Sequence, residues 1–225
     1  MPARLHDAQY KYDLIERFGL AEQIPPSILN ALNLVSFTKG EYLCRAGEKI
    51  DSLFLLVAGK VQISFVHSTG QWTVFAFETP LSIVGELELF VDSFEMTNVN
   101  LQAVTDSLLL VAPLSVVQQH GYNDARFLRF LLRNIVQKLY FSSTLLSQAP
   151  LSAETRLAYY LLDCYQQEGT PFQLEKREAV AALLGTSTRH LNRTLKRLAP
   201  AIDVQNKTVH VHDPEILRTI IEKGT

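Results

Sequence analysis

Two cysteines, Cys44 and Cys164, are all that this 225-residue chain holds. That is too few for a disulfide framework or a four-thiolate metal cluster; two small apolar residues buried in separate domains are the simpler reading. Long apolar runs are missing too. None approaches the ~18 residues that cross a bilayer, and no charged-then-apolar leader opens the chain. A large charge of either sign is also absent. The net charge is −2, so no global field draws the chain to a membrane or to nucleic acid. These absences point to a soluble, cytoplasmic protein with no cofactor and no membrane partner. With 47% hydrophobic and 20% charged residues it is globular, and long enough for one large or two ordinary domains.

Basic charge is concentrated in one place. Residues 176–198 hold six Lys or Arg and a single acid, Glu178. Within them, REAVAALLGTSTRHLNRTLKRL reads as two short helices around a glycine turn. At a helical pitch Leu191, Leu195 and Leu198 fall on one side, with Arg189, Arg193 and Lys196 nearly opposite and Arg197 at the edge. Ala179, Val180, Leu183 and Leu184 face the same core from the first helix. Gly185 can take a left-handed helix end, and Ser187 suits an N-cap. This is the layout of a helix-turn-helix, whose second helix enters the DNA major groove N-terminus first. Arginine can donate a bidentate pair to guanine, and Ser or Thr can reach bases or phosphates. The expected DNA contacts are Lys176, Ser187, Thr188, Arg189, Arg193, Lys196 and, from a later hairpin, Lys207.

The rest of the chain changes texture twice. Residues 5–34 read as helical, broken at Pro25-Pro26, with Ile28, Leu29, Leu32 and Leu34 on a second short helix. From 40 to 113 short β-branched and aromatic runs alternate with glycines: EYLCR, SLFLLVA, KVQISFV, QWTVFAFE, LSIV, NVNLQAV and SLLLVAP. Such spacing suggests a sandwich or jelly roll, with HSTG at 67–70 as a hairpin loop. From about 114 to 147 the period is helical again. Phe127, Leu128, Leu131, Ile135, Leu139 and Leu145 line one side, Leu132 and Val136 widen it, and Arg126, Arg129, Arg133 and Lys138 occupy others. Apolar groups on more than one side need two partners, so Phe127, Leu128, Leu131, Ile135 and Leu139 are expected to dimerise the chain. Glutamate at Leu131 or Ile135 should then yield monomers. Beyond Pro150 the pattern predicts a helix over 153–168, the two-helix unit, strands near 201–204 and 208–212, and a terminal helix. The expected domains are 1–113, a sensor barrel with N-terminal helices; 114–149, a dimerisation helix and hinge; and 150–225, a winged helix-turn-helix. The fold class is α+β.

In this order the motifs FTKGEYLCRAGE (37–48), DSLFLLVAGKVQI (51–63), IVGELELF (83–90) and TSTRHLNRTLKRL (186–198) resemble the family of the cyclic-AMP receptor protein and the fumarate-nitrate reductase regulator. The resemblance covers about 35 to 212. It implies a cyclic-nucleotide-binding-like β jelly roll, a long dimerisation helix and a DNA-binding winged helix-turn-helix, acting as a homodimeric transcription regulator and not an enzyme. Double-stranded DNA with a palindromic operator, a second copy of the chain, RNA polymerase and a small-molecule effector are the implied partners. Gly85, Glu86 and Leu87 match the start of the family's phosphate-binding cassette, with Thr97 and Asn98 further along the effector pocket. Glu86 either meets a ligand or bonds backbone donors inside the barrel. In cyclic-AMP binders a later arginine holds the cyclic phosphate. Here VDSFEMTNVNLQA (91–103) has no Lys or Arg, and Met96, Thr97 or Asn98 stands in that place. A buried phosphate without a cation is costly, so the family's usual cyclic-AMP mode is not expected. An iron–sulfur sensor would need more cysteines. For haem, His67 is the only histidine of the strand region and sits in a turn. The recognition segment departs as well. Thr188-Arg189-His190 replaces the receptor's Arg-Glu-Thr, while Arg193 matches the later arginine. A cupin-type metal oxygenase would need clustered ligands that the strands lack. A regulatory module working through protein partners would leave the basic helix and wing idle.

Overall fold

The computed structural model describes residues 3–66, 72–91, 98–147 and 150–224. The chain divides into two compact units, Met1–Phe141 and Ser142–Thr225.

The first unit is built on two antiparallel sheets. One orders β1 (Ala3–Leu5), β2 (Asn33–Phe37), β9 (Ser107–Pro113), β4 (Ser52–Ala58) and β7 (Ser82–Val84). The other orders β3 (Tyr42–Cys44), β8 (Val99–Ala103), β5 (Val61–Val66) and β6 (Trp72–Glu78). All seven apolar runs named above are strands. Most neighbours are distant in sequence, as β2 and β4 on either side of β9, which is the crossover habit of a jelly roll.

β4 explains why its sequence is apolar without alternation. Phe54 and Leu56 point between the sheets, into a core with Val35, Phe37, Val61, Ile63, Leu101 and Leu109. Leu53, Leu55 and Val57 point the other way, onto a second core shared with helices. A strand buried on both faces has no polar side to show.

Those helices are α1 (Ala8–Arg17), α2 (Pro26–Ala31), α3 (Leu114–Gly121) and α4 (Ala125–Ser147). Two expectations need correcting. Residues 5–34 are not helical throughout: Leu5 and Leu34 pair with each other as strand residues, and Leu34 also opposes Leu110. The backbone partners offered by β9 outweigh the local helical pattern of 28–34. Residues 114–147 are likewise two helices. The chain breaks at Tyr122-Asn123, and Asp124 restarts it: its Oδ1 accepts from the amides of Arg126 (2.9 Å) and Phe127 (3.0 Å). An acid bonding first-turn amides is a strong helix start.

The second unit contains α5 (Ala153–Glu168), β10 (Phe172–Gln173), α6 (Arg177–Leu183), α7 (Thr188–Arg197), β11 (Ile202–Gln205), β12 (Thr208–Val211) and α8 (Pro214–Gly224). Its three strands run in the order β10-β12-β11. β10 was not expected from sequence, because two residues are too few to show a period. Leu157, Leu161, Val180, Leu184, Leu191, Leu195, Leu198, Ile202, Val209, Val211 and Leu217 form one core.

Among the described residues no helix is long and apolar enough to cross a membrane, and no group of His, Cys, Asp or Glu is placed to hold a metal ion. Thr97, the 67–70 loop with His67, and the side chain of Leu145 lie outside the described residues.

Candidate DNA interface and sensor elements

α7 is positioned by its buried face. Leu191, Thr194, Leu195 and Leu198 are buried, while Arg189, Asn192, Arg193, Lys196 and Arg197 are exposed. Ser187 caps the helix, its Oγ accepting from the His190 amide at 3.2 Å. Gly185 takes φ +59, a left-handed conformation that other residues resist. The turn is then locked from α5: Arg156 donates from Nε to the Leu184 carbonyl (3.0 Å) and from Nη1 to the Leu151 carbonyl (2.6 Å). One guanidinium thus satisfies the Leu184 carbonyl at the end of α6 and the Leu151 carbonyl just before α5.

The basic side chains of α7 and its flanks do not all face the same surroundings. Arg189, Arg193 and Lys196 project from α7 into solvent, and Thr188 begins it. Arg197 instead lies 3.6 Å from Glu154 of α5, which ties the end of α7 to its own unit. Lys176 is exposed immediately before α6, and its carbonyl accepts from Ala179 (2.8 Å) and Val180 (3.0 Å). Lys207 stands at the tip of the β11–β12 hairpin beside Asn206, which takes φ +57. Between α7 and β11 lies a cleft of about 490 Å³, lined by Arg177, Asn192, Lys196 and Asp203 among others.

In the first unit, Gly85 ends β7 with φ +96, and an added Cβ would lie 2.4 Å from the Ser52 carbonyl. No other residue fits there. The turn sends the Glu86 side chain inward, where it is 5% exposed. Lys138 of α4 meets it, Nζ donating to Oε1 at 2.8 Å, and also donates to the Ile83 carbonyl. Asn134, one turn earlier, accepts from the Ile83 amide at 3.3 Å. Glu88 is half-buried beside this pair; burial pushes its carboxyl above the ordinary value, and the Glu86 charge adds to that. Leu87, by contrast, is 52% exposed, and Asn98 is also at the surface. Among the described cassette residues, Glu86 is therefore buried while Leu87 and Asn98 face the surface.

The contacts of Lys138 and Asn134 with the Glu86 turn are not expected from sequence. Phe127, Leu131, Asn134 and Lys138 fall on one helical stripe, and polar residues in register with buried ones were the available signal.

The same stripe buries two of the residues expected to dimerise the chain. Phe127 and Leu131 are each 1% exposed, packed in the core beneath the five-stranded sheet. A side chain consumed by its own core has no surface left for a second chain. Leu128 and Ile135 are half-buried, and Leu139 is exposed. The open apolar face of α4 is formed by Leu132, Val136, Leu139 and Tyr140.

A β sandwich of jelly-roll type followed by a winged helix-turn-helix is the architecture of a DNA-binding transcription regulator. Comparison with known proteins agrees. Residues 34–120 match the cyclic nucleotide-binding domain, and residues 155–220 match the Crp-like helix-turn-helix domain. The CRP-like cAMP-activated global transcriptional regulator of Mycobacterium tuberculosis is 24% identical, over 91% of this chain and 97% of that protein. The Cyclic AMP receptor protein of Thermus thermophilus is 29% identical, over 90% and 94%. The structure of FixK2 from Bradyrhizobium japonicum superposes with a TM-score of 0.74 at 17% identity, covering 84% of this chain and 96% of that one. The chain belongs to the cyclic-AMP receptor protein and fumarate-nitrate reductase regulator family, and is a DNA-binding transcription regulator rather than an enzyme.

Proposed function

We propose that this regulator acts in the cytoplasm as a homodimer that reads a palindromic operator, and that it does so without cyclic AMP. The observation that carries the DNA reading is α7 itself. One face is buried to the last leucine, and the other presents Arg189, Arg193 and Lys196 from a capped, solvent-facing N-terminus. Thr188, Arg189 and Arg193 then lie where base edges would be, and Lys176, Ser187, Lys196 and Lys207 serve the phosphates. The open α4 face supplies the two-fold contact, and RNA polymerase is the downstream partner.

Independence from cyclic AMP is supported by the Glu86 carboxylate, which is already neutralised by Lys138 from its own chain. With no Lys or Arg in 91–103, a cyclic phosphate would have no cation from that segment. The sensor unit then answers to another small molecule around Gly85–Leu87 and Thr97–Asn98, or to none.

The test is selection of bound duplexes from a random library by the purified protein, with and without cyclic AMP. A two-fold symmetric site with half-sites about one helical turn apart, enriched equally in both arms, supports the proposal. Enrichment that requires cyclic AMP refutes the effector reading. Affinity that does not fall with salt refutes the DNA reading, because phosphate contacts release counterions.

A further inference from the structure

Arg193 does not project from α7 alone. Its Nη2 lies 3.1 Å from Nδ1 of His190, one turn earlier on the same helix. A guanidinium can only donate, so Nδ1 is the acceptor of this bond. An imidazole that accepts at Nδ1 carries its proton on Nε2. The contact therefore fixes the tautomer and leaves Nε2–H as a donor. The backbone of His190 is held as well. Its amide donates to Ser187 Oγ, and its carbonyl accepts from Thr194 Oγ1 at 3.0 Å. Thr194 is buried, so the ring stands on a helix turn that is anchored from below.

We infer that His190 is a second base-reading residue, oriented by Arg193. This rests on the reading of α7 as the DNA-reading helix. Residues three apart on a helix differ by about 4.5 Å along the axis, close to the roughly 3.4 Å step between bases. His190 lies nearer the leading end of α7, so it meets the base pair next to the one under Arg193. The two side chains together present only donors. Guanine under Arg193 satisfies the guanidinium with O6 and N7. The neighbouring base that faces Nε2–H must offer an acceptor. Guanine, adenine and thymine each have one on the major-groove edge; cytosine shows only its amino donor. The operator half-site should thus carry guanine and, one step away on the strand read by His190, any base except cytosine. Arg193 also gains: a guanidinium tethered to a ring loses fewer rotamers on binding than a free one.

The experiment is duplex selection by the full-length protein and three variants, H190L, H190N and R193A. Wild type should exclude cytosine at the position beside the guanine. H190L removes the acceptor and the donor at similar bulk. It should admit cytosine there and lose discrimination at the guanine by about two- to tenfold, the span of one net hydrogen bond. H190N keeps an amide oxygen for Arg193 and an amide N–H for the base, and should restore the exclusion. A role in folding alone would not change base preference or be rescued in this way. If H190L selects the wild-type sequence while R193A loses the guanine, His190 is not a reader and the inference falls with α7 still the reading helix. A folded H190N that fails to restore the exclusion also overturns it. If R193A selects the wild-type sequence too, α7 is not the reading helix and both readings fall.

Discussion

Lys138 reaches from the middle of α4 to the carboxylate of Glu86, 2.8 Å away at the end of β7. The same ammonium bonds the Ile83 carbonyl, while Asn134 takes the Ile83 amide. Two residues four apart on the helix thus hold one strand end. Among the described residues, no buried side-chain N or O is left without a partner.

Removing one member should be worse than removing both. Lys138→Met leaves a buried carboxylate uncompensated and should cost about 1–3 kcal/mol. That is below the range for fully buried pairs because 21% of the Lys138 side chain is exposed. The double variant Glu86→Gln with Lys138→Met should recover most of the loss. Urea unfolding of the three variants and wild type gives the coupling directly.

Glu88 predicts a pH dependence. Its carboxyl is held above the ordinary glutamate value, chiefly by burial. The folded state therefore binds that proton more tightly than the unfolded chain. Its contribution is fully present below the ordinary glutamate range and is lost as pH rises through the raised value. Glu88→Gln should flatten this falling limb and raise stability at neutral pH. Unfolding midpoints of wild type and variant across that window check the sign.

Charge on α4 should separate assembly from folding. Val136 and Leu139 are 52% and 63% exposed, so glutamate at either should leave a folded chain that sediments as a monomer and binds its operator weakly. Glutamate at Leu131 should instead unfold the first unit, because it places a charge in the core. Sedimentation and circular dichroism distinguish the two results.

Arg193→Ala should cost about 1–3 kcal/mol of operator affinity and relax preference at one base pair, if the contact is bidentate to guanine. Equal loss on all sequences would mark a phosphate contact. Binding titrations on the selected operator and on a scrambled duplex separate them.

Cys44 should resist thiol reagents in the native protein. It is buried, and burial pushes its thiol up to about 11, with Glu48, Glu88 and Asp51 adding to the effect. Alkylation with and without denaturant, read by mass, should show Cys44 labelled only when the chain is unfolded.

Much of this architecture is legible along the chain because it rests on local rules. The seven strand runs of 40–113 are short, apolar and bounded by turn residues. The α5 boundaries follow from Ser152 as a cap, its Oγ accepting from Thr155, and from Gly169 at the end. The two faces of α7 follow from helical pitch alone. Leu34 shows where this stops: its neighbours favour a helix, yet β9 supplies backbone partners that only the folded sheet can offer.

The sequence by itself therefore determined the seven strand runs of 40–113, the order of sandwich, helices and winged unit, and the basic face of α7, since these depend on periodicity, caps and charge within a few residues. Tertiary structure alone decided how polar groups were spent. It gave Lys138 to Glu86 and Arg197 to Glu154, and it took Phe127 and Leu131 into the core. The physical reason is desolvation. Whether a side chain is a surface contact, a structural partner or a core residue depends on what the rest of the fold removes from water around it.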